Sequence, residues 1–599
     1  MTSDRFRNAY AITDHLPTPN GILTELLEHQ KHGLAWMLWR EKQVPPSGIL
    51  ADDMGLGKTL SFISLIVENL NRRKLFDEEE QKEKRKAIAN FLVPSYCSLV
   101  IVPASLIYQW EEEIGRHVKP GLLRVYIFHG PKQKRETDPT RLAQYDVVLT
   151  TYSTVTNELN KKADVEVLDI SSSGETSGLP RNTSKESVLT RVAWQRIILD
   201  EAHQIKNKNS LVSKACCRLP GICRWCSSGT PIHNKLWDLF SLIKFLRIRP
   251  FDEEAVWKEY IMGNSALASE RLNTLVRGLL LRRQKTDINM ITNKPIVSLK
   301  NFFKIYLCTP SCSFRQKVKE IIEQNISISK PREKWSKESV IRNPFLGSTR
   351  DISLCDNFRT MSCVLTLLLR LRQACVHMAL TKKAVDIEAF RDIGLDYDEK
   401  DIDILDITSN LDQVNIDRKE EAVARLFEPS FNSTKVKIFF SVVVSQWTSL
   451  LEIIEQRLTQ YGVEYTCITG KVLPKNRQQC VESFNRRNGG ARVMLLSLTA
   501  GGVGLNLTGG NHLFLLDLHW NPAIEQQACD RIYRMGQKKD IFIYKFICHE
   551  TIEQRVLNLQ ESKKALAESV LKGATSKKLN KLTINDIKFL FGLGSSGKM

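Results

Sequence analysis

The chain has 599 residues, of which 42% are hydrophobic, and it carries a formal net charge of +19. This length predicts about three to five domains with buried cores, and the charge favours a polyanionic partner such as nucleic acid over a merely solubilising basic surface. No apolar run reaches the ~18 residues of a membrane span, and the first residues lack the apolar core of a secretory signal.

A helix that begins near Leu26 is the first predicted element. Apolar residues recur at helical spacing along the segment LLEHQKHGLAWMLWR, which also holds Gln30. The side-chain amide of Gln30 offers a donor and an acceptor, a combination that suits the edge of adenine. The alternative is a glutamine that simply faces solvent.

A glycine-bearing turn then connects an apolar strand to an apolar helix. The turn is Ala51–Thr59, with the sequence ADDMGLGKT. Such a turn binds phosphate through backbone N–H groups and the helix N-terminus, with Lys58 at the β- and γ-phosphates and the Thr59 hydroxyl on Mg²⁺. The full pattern has a glycine where this chain has Asp52, so an ordinary glycine-rich turn is the alternative.

Three further apolar runs predict buried parallel strands at 98–103, 147–152 and 194–199. The third run leads directly into Asp200-Glu201. Phosphoryl transfer that depends on Mg²⁺ needs this arrangement, with Asp200 on the metal and Glu201 polarising the attacking water. The alternative is an acidic turn after a strand, which the nearby phosphate-binding turn disfavours.

The second half of the chain repeats the alternation of strands and helices. Runs at 437–444 and 493–497 predict strands of a second parallel sheet. Within the segment 497–537, Arg531 and Arg534 are three residues apart and therefore lie on one helix face. Such a pair can act as arginine fingers toward a γ-phosphate held by the first sheet, whereas a basic face satisfied by local carboxylates is the alternative.

The fourteen cysteines follow no regular spacing, which indicates free thiols in a reducing compartment. Cys223-x-x-Cys226 has the spacing of zinc ligands. Packed free thiols are favoured over a metal site, because Cys226 leads directly into SSGTP, where the family resemblance described below implies a core strand. Residues 300–430 lack the closely spaced cysteines and histidines of a RING module, and no structural zinc is expected.

Several of these segments together resemble the Swi/Snf-type ATPases of helicase superfamily two. They are ADDMGLGKT, DEAH, SGTPIHNKLWDLFSLIKFL, LRRQKTD (281–287) and the segment 497–537. Of these, LRRQKTD resembles the family's lobe-closing segment. The resemblance implies an α/β fold of two RecA-like parallel-sheet lobes with helical insertions between them. The implied parts are a lead-in (1–19), an ATP-binding first lobe (20–300, with a polar insertion at 159–190), a helical protrusion and linker (301–430), a second lobe (431–575) and a tail (576–599).

The same resemblance implies roles for particular residues and the cofactors ATP and Mg²⁺. The nucleotide contacts are Gln30, Asp53, Met54, Gly55, Leu56, Gly57, Lys58, Thr59, Leu60, Gly502, Arg531 and Arg534. The catalytic residues are Lys58, Asp200, Glu201, Arg531 and Arg534, and the Mg²⁺ ligands are Thr59 and Asp200. Segments that match the family's DNA contacts hold Gln109, Trp110, Thr151, Trp447, Thr469 and Trp520.

Within the family, the segments around the first helix and the turn, and the tail at 581–593, are most similar to the lodestar group, also called transcription termination factor two. Members are ATPases stimulated by double-stranded DNA that dislodge RNA polymerase II and its transcript without ordinary strand separation. This implies duplex DNA and the polymerase as partners and no membrane partner.

The implied location is the nucleus, with the cytoplasm as an alternative for part of the cell cycle. Members also carry a long N-terminal extension with a small zinc module, so a short form or a fragment is expected here. The alternatives are a repair or chromatin-remodelling translocase, a strand-separating helicase, and an inert DNA-binding scaffold. An inert scaffold is expected to have lost Lys58, Glu201 or Arg531 by substitution, and all three residues are present.

Overall fold

The computed structural model describes residues 15–75, 92–159, 187–229, 236–263, 266–288, 295–297, 301–308, 440–486, 489–501, 505–534, 536–549 and 551–561, with positions 369, 372, 373, 375, 376 and 380. Some predicted features therefore lie outside the described residues. These are the start of the lead-in, most of the polar insertion, Gly502, most of the protrusion and linker, and the tail.

The described residues alternate between strands and helices. The strands are β1 (Ser47–Leu50), β2 (Val93–Pro94), β3 (Ser98–Val102), β4 (Val125–Phe128), β5 (Val147–Thr151), β6 (Val192–Asp200), β7 (Gly221–Ser227), β8 (Leu280–Leu281), β9 (Asn301–Cys308), β10 (Ser441–Ser445), β11 (Tyr465–Ile468), β12 (Val493–Ser497), β13 (His512–Leu515) and β14 (Ile541–Cys548). The α-helices are α1 (Glu28–Arg40), α2 (Lys58–Leu75), α3 (Ile107–His117), α4 (Pro139–Leu142), α5 (Tyr152–Leu159), α6 (Leu211–Arg218), α7 (Leu236–Leu246), α8 (Glu254–Tyr260), α9 (Ala266–Leu279), α10 (Thr448–Gln460), α11 (Pro474–Asn485), α12 (Leu498–Gly501) and α13 (Pro522–Cys529).

The first sheet runs in the order β4-β5-β3-β6-β7-β1-β8, and every neighbouring pair is parallel. The short strand β2 pairs with β6 beside this path. Helices cover both faces of a parallel sheet, which is why its central strands are continuous apolar runs. The three predicted strands of the first half are confirmed as β3, β5 and β6. Because all strands are parallel, the loops after β1 and β6 meet at one edge of the sheet.

The second sheet runs in the order β11-β12-β10-β13-β14-β9 and is also parallel throughout. A separate apolar core packs α11 and α13 against one face of β10, β12 and β13. The predicted fold of two parallel α/β lobes is thus confirmed. No helix among the described residues is long and apolar enough to cross a membrane.

Strand β9 lies where the sequence predicted the protrusion and linker. It pairs with β14 over eight residues, from Asn301 with Ile541 to Cys308 with Cys548, and is therefore an edge strand of the second sheet. The rings of Phe302 and Phe542 stack with their centroids 5.0 Å apart. A partner so distant along the chain leaves no local sequence signal, which is why the predicted boundary at 300 does not separate the two lobes.

Strand β7 contains the cysteine pair with zinc-like spacing. Cys223 and Cys226 are three positions apart on this extended strand, so their side chains point to opposite faces of the sheet. Cys226 packs into the core with Leu199 and Cys216. Both thiols are buried and free of disulfides, and this geometry does not let the pair bind one ion.

Candidate active site between the two lobes

The phosphate-binding turn connects β1 to α2 at the carboxyl edge of the first sheet. Gly55 and Gly57 have φ of +86° and +80°, a left-handed conformation that glycine adopts without steric cost. The Lys58 ammonium donates to the carbonyl oxygens of Asp52 at 2.7 Å and Asp53 at 3.3 Å. The turn therefore holds its lysine in place, and an incoming anion would compete with two carbonyl groups for that ammonium.

Helix α1 is attached to the turn through two of its side chains. His29 Nε2 lies 2.9 Å from the Leu56 carbonyl oxygen, and Gln30 Nε2 lies 3.5 Å from the same atom. Gln30 Oε1 accepts from the Leu27 backbone N–H at 2.9 Å, and the residue is only 2% exposed. Burial lowers the pKa of His29, which keeps its ring neutral. Gln30 is therefore not a solvent-facing residue, since its amide is tied to the turn.

Asp52, which stands where the phosphate-loop pattern has glycine, is bound by Arg283. Its Oδ1 accepts from the Arg283 backbone N–H at 3.1 Å and from Nε at 2.9 Å, and its Oδ2 pairs with Nη2. Arg283 Nη1 also donates to the His29 carbonyl. The segment after β8 is thereby attached to both the turn and α1. This contact explains why aspartate occupies position 52 in place of the glycine of the pattern, and no local sequence pattern reveals it.

Asp200 and Glu201 end β6 at the same edge of the sheet. Asp200 Oδ2 accepts from Trp110 Nε1 at 2.8 Å, and its Oδ1 accepts from the Glu201 backbone N–H at 3.0 Å. Burial and the Glu201 charge raise the pKa of Asp200, while Trp110, Ser227 and Lys58 act in the opposite direction. A cation beside Asp200 would relieve this unfavourable burial of charge.

Glu201 stays ionised despite its burial. Burial alone would raise its pKa, but His203, Lys58 and Arg531 outweigh this effect and hold the pKa of Glu201 below its usual value. His203 Nδ1 lies 3.3 Å from Glu201 Oε2. Glu201 also adopts φ of 49°, a left-handed conformation that costs energy for a residue with a side chain. The strained backbone thus holds this charged carboxylate at the carboxyl end of β6.

The donor set fits a Mg²⁺ ion, which prefers oxygen ligands from carboxylates, hydroxyls and phosphates. Thr59 is the second residue of α2, directly after Lys58, and its side chain is half-buried. Asp200 contributes a carboxylate whose two oxygens each accept a hydrogen bond and keep a further lone pair. These two residues would hold the metal, as the sequence predicted.

Arg531 and Arg534 belong to the second lobe. They follow α13, which ends at Cys529, so the prediction that they share one helix face is wrong, and they lie in the turn and bend that follow the helix instead. Arg531 is 4% exposed, and burial lowers its pKa to about 10 while the Glu201 charge opposes that effect. Arg534 Nη1 donates to the Leu505 carbonyl at 3.2 Å. Burial lowers the pKa of Arg534, while the charges of Glu113 on α3 and of Asp530 oppose that effect. Acidic residues of the first lobe therefore favour the ionised form of both arginines.

Lys285 links the two lobes directly. Its ammonium donates to Asp530 Oδ1 at 2.7 Å and to the Tyr533 carbonyl, and it lies 4.2 Å from the centre of the Tyr533 ring. Its backbone N–H donates to Asp53 Oδ2 at 3.2 Å. Lys285 and Asp530 are 4% and 6% exposed. These contacts agree with the resemblance of the segment 281–287 to the family's lobe-closing segment.

The residues predicted to contact DNA fall into two groups. Trp110 and Thr151 are 2% and 0% exposed, so neither reaches the surface in this arrangement. Trp110 instead binds Asp200, and the Thr151 hydroxyl bonds to Ser153 and Thr154 at the start of α5. Gln109 and Thr469 are partly exposed. Trp447 and Trp520 are 7% and 6% exposed, and their buried indole N–H groups have no hydrogen-bond partner among the described residues.

Comparison with known proteins agrees with this architecture. The SNF2-related domain matches residues 29–380, and the helicase conserved C-terminal domain matches residues 418–536. Transcription termination factor 2 of Drosophila melanogaster is 36% identical, and the alignment covers 99% of this chain and 62% of that protein. The "Probable global transactivator" of Orgyia pseudotsugata multicapsid polyhedrosis virus is 32% identical, with 95% and 94% covered.

Among solved structures, the Sulfolobus solfataricus SWI2/SNF2 ATPase core in complex with dsDNA is 24% identical, covers 96% of this chain and 98% of its own, and has a TM-score of 0.36. The chain spans about 62% of the length of the fly relative. The domain matches extend over both lobes and include the phosphate-binding turn and both arginines. This chain belongs to the SNF2-related family of helicase-like ATPases.

Proposed function

We propose that the cleft between the lobes binds ATP with Mg²⁺ and hydrolyses it. Lys58 leaves the carbonyls of Asp52 and Asp53 to bind the β- and γ-phosphates, and the remaining turn from Asp53 to Leu60 wraps the phosphates with its backbone. Gln30 fixes the turn from α1 and is the candidate for adenine contact. Thr59 and Asp200 hold the metal, which when bound neutralises charge on the phosphate oxygens.

Glu201 acts on the attacking water in this proposal. Its carboxylate stays charged beside Lys58 and Arg531, so it can accept a hydrogen bond and then a proton from the water. Arg531 and Arg534 stabilise the charge that develops on the γ-phosphate, a contribution worth roughly 10³–10⁵ in rate for arginine fingers. Gly502 is the remaining proposed nucleotide contact from the second lobe and lies outside the described residues.

One observation carries the proposal: the turn of the first lobe touches Arg534 of the second, since a Cβ atom added at Gly55 would lie 2.6 Å from Cβ of Arg534. Hydrolysis therefore requires the lobes to close, and product release allows them to open. A protein that binds DNA with both lobes would move its contacts along the DNA with each cycle of ATP hydrolysis. We infer translocation along duplex DNA without ordinary strand separation.

Duplex DNA is the proposed track because the chain carries a net charge of +19. Gln109 and Thr469 are the proposed contacts that reach solvent, whereas Trp447 and Trp520 are buried and would contact DNA only after the surface around them rearranges. The name of the fly relative supports transcription termination as the task of the motor. The resemblance of the sequence adds removal of RNA polymerase II and its transcript, and hence the nucleus as the place.

Displacement of a third DNA strand from a triplex tests translocation directly. Wild-type protein with ATP should release the triplex-forming strand, whereas Glu201→Gln and a non-hydrolysable nucleotide should not. A forked duplex serves as the control for strand separation and should stay intact. No release from the triplex by an actively hydrolysing protein would contradict translocation.

A second assay separates the alternative tasks. A polymerase stalled on immobilised DNA should be released together with its transcript in an ATP-dependent reaction. A repair or remodelling translocase would instead reposition a nucleosome and leave the polymerase bound. An inert scaffold would bind DNA and do neither.

A further inference from the structure

Asp200, the proposed metal ligand, is held from both faces of the first sheet. Strand β6 ends at Asp200, and successive residues of a strand point to opposite faces. Leu199 belongs to the apolar core on one face, and Ile198 belongs to the core on the other. Each of these two cores contains one aromatic residue whose polar group donates a hydrogen bond to Asp200, so the aspartate is bound from two directions.

Trp110 of α3 makes the first contact. It packs in the core that contains Ile198 and Leu149, and it is 2% exposed. Its indole N–H donates to Asp200 Oδ2 at 2.8 Å. The terminal torsion of an aspartate side chain has a broad energy minimum, so hydrogen bonds decide how the carboxylate is oriented. The indole therefore fixes this orientation and leaves a lone pair of Oδ2 for another partner.

Tyr152, the first residue of α5, makes the second contact from the opposite face. It packs in the core that contains Leu199 and Ala202, and it is 6% exposed. Its hydroxyl donates to the main-chain carbonyl oxygen of Asp200 at 2.8 Å. That carbonyl belongs to the peptide that joins Asp200 to Glu201, whose φ is 49°. Tyr152 thus orients the peptide that leads into the strained residue.

Hydrogen bonds of this kind tune the groups that bind metals in proteins. They fix the geometry of a ligating carboxylate, and their loss typically costs roughly 10–100-fold in metal affinity or activity. Asp200 Oδ1 accepts from the Glu201 N–H at 3.0 Å, so together with the indole both oxygens of the carboxylate are held. The donors of both faces therefore converge on one residue of the proposed site.

We infer that Trp110 and Tyr152 are positioning residues: the indole orients the Asp200 carboxylate for the metal, and the hydroxyl orients the peptide that presents Glu201 to the attacking water. This inference rests on the proposed ATPase function. Neither aromatic residue is assigned a contact with ATP or with the metal, so each acts through its hydrogen bond. Loss of the indole N–H should therefore weaken metal binding, whereas loss of the hydroxyl should lower kcat.

The first test compares Trp110→Phe with Trp194→Phe, which loses the same kind of bond elsewhere in the first lobe. The Trp194 indole donates to the Leu189 carbonyl at 2.9 Å, and its side chain is fully buried. Trp194 precedes Asp200 by six positions on β6, a separation of about 20 Å along an extended strand. Both variants thus lose a buried indole, but only one loses it beside the proposed metal ligand.

Equilibrium dialysis measures the affinity of each protein for the β,γ-imido analogue of ATP, once with Mg²⁺ and once with EDTA. The ratio of the two affinities reports the contribution of the metal. Binding of Mg²⁺ to the free analogue is the same for every protein and cancels in the comparison. We expect the ratio to fall about 10-fold in Trp110→Phe and to keep its wild-type value in Trp194→Phe.

ATP hydrolysis gives a second readout for the indole. In Trp110→Phe, the Mg²⁺ concentration that gives half the maximal rate should rise about 10-fold, and excess Mg²⁺ should recover most of kcat. A merely structural role of Trp110 would lower activity at every Mg²⁺ concentration. Failure of excess Mg²⁺ to recover kcat would contradict the proposed action on the metal ligand.

Tyr152→Phe tests the hydroxyl and has a lower risk of misfolding, since the ring is retained. It should lower kcat about 10-fold, with the Mg²⁺ requirement and KM for ATP nearly unchanged. Tyr126→Phe is the matched control, because it removes a hydroxyl that accepts from the Glu136 backbone N–H at 2.9 Å in β4. This control should keep the kcat of the wild type.

The dialysis involves no hydrolysis and therefore separates this inference from the proposed function. A wild type that shows the metal-dependent affinity, and loses it in Trp110→Phe, but does not hydrolyse ATP would contradict the proposed function alone. Equal affinity ratios for Trp110→Phe and Trp194→Phe would overturn the role of the indole. Equal kcat for Tyr152→Phe and Tyr126→Phe would overturn the role of the hydroxyl.

Discussion

Gly55 of the phosphate-binding turn lies against the backbone of Arg534. A Cβ atom added at Gly55 would lie 2.6 Å from Cβ and 3.0 Å from Cα of Arg534. Real Cβ atoms do not approach other heavy atoms so closely, so this position requires glycine for the lobes to close. The turn and the segment that carries Arg534 are thus complementary in shape.

Substitution of Gly55 by alanine should therefore push the lobes apart. We expect a loss of about 10²-fold in kcat for ATP hydrolysis, because the fingers would be displaced from the phosphates. Gly121→Ala is the matched control: Gly121 has φ of +78°, close to the +86° of Gly55, but nothing lies within 4 Å of an added Cβ. Both variants share a backbone cost of roughly 1–2 kcal/mol. Similar activity of the two variants would show that the close approach to Arg534 has no role.

Substitution of Asp52 by glycine restores the phosphate-loop pattern and should nevertheless damage the protein. Arg283 would lose both carboxylate oxygens that it binds, and a buried charge without a partner costs roughly 3–5 kcal/mol. We expect a lower free energy of unfolding and weaker ATP binding, measured by denaturant titration and nucleotide titration. Adding Arg283→Met to Asp52→Gly removes the unpaired charge and should recover part of the stability. A stable and fully active Asp52→Gly variant would contradict this explanation of the aspartate.

His512 should make the second lobe sensitive to acid. Its ring stacks on the rings of Phe542 and Tyr544, with centroid distances of 4.9 Å and 5.9 Å. Burial, together with the nearby Lys539 charge, lowers the pKa of His512 to about 4. Between pH 6.5, its ordinary pKa, and about pH 4, the unfolded chain binds a proton at His512 that the folded chain does not. Acidification therefore favours unfolding, by at most ~1.4 kcal/mol per pH unit.

The control is His512→Phe, which keeps an aromatic ring and removes the titration. From pH 7 to pH 5, the free energy of unfolding of the wild type should fall relative to that of the variant. The comparison of two proteins cancels the contribution of every other titrating group. A difference that is constant over this range would show that His512 is not the group responsible.

Much of the fold could be predicted because its signals are local. The strands β3, β5, β6 and β12 are continuous apolar runs, and a run of this kind indicates a strand covered on both faces. For the edge strand β9, the sequence predicts a connecting region instead, because only the pairing with β14 identifies this segment as a strand. Local periodicity contains no information about a partner so far along the chain.

The site shows the same division between local and distant information. The turn, the Asp-Glu pair and the two arginines are predicted as groups with compatible chemistry, and the structure brings Arg534 of the second lobe against the turn of the first. The contacts that hold them were not predicted: Arg283 binds Asp52, and Lys285 binds Asp530. Trp110 was expected at DNA, but its indole donates to Asp200 inside the first lobe. A tryptophan on an amphipathic helix gives no sequence signal for which of these partners it has.

The most direct test of the account is ATP hydrolysis by wild type and Glu201→Gln, each measured without nucleic acid, with single-stranded DNA and with duplex DNA. The amide is nearly the same size as the carboxylate but cannot take a proton from the attacking water, so it should lower kcat by roughly 10²–10⁴-fold while ATP still binds. We predict strong stimulation of the wild type by duplex DNA, and no such stimulation in the variant. Equal rates under all three conditions would contradict a motor that uses duplex DNA, and an active Glu201→Gln would contradict the proposed site.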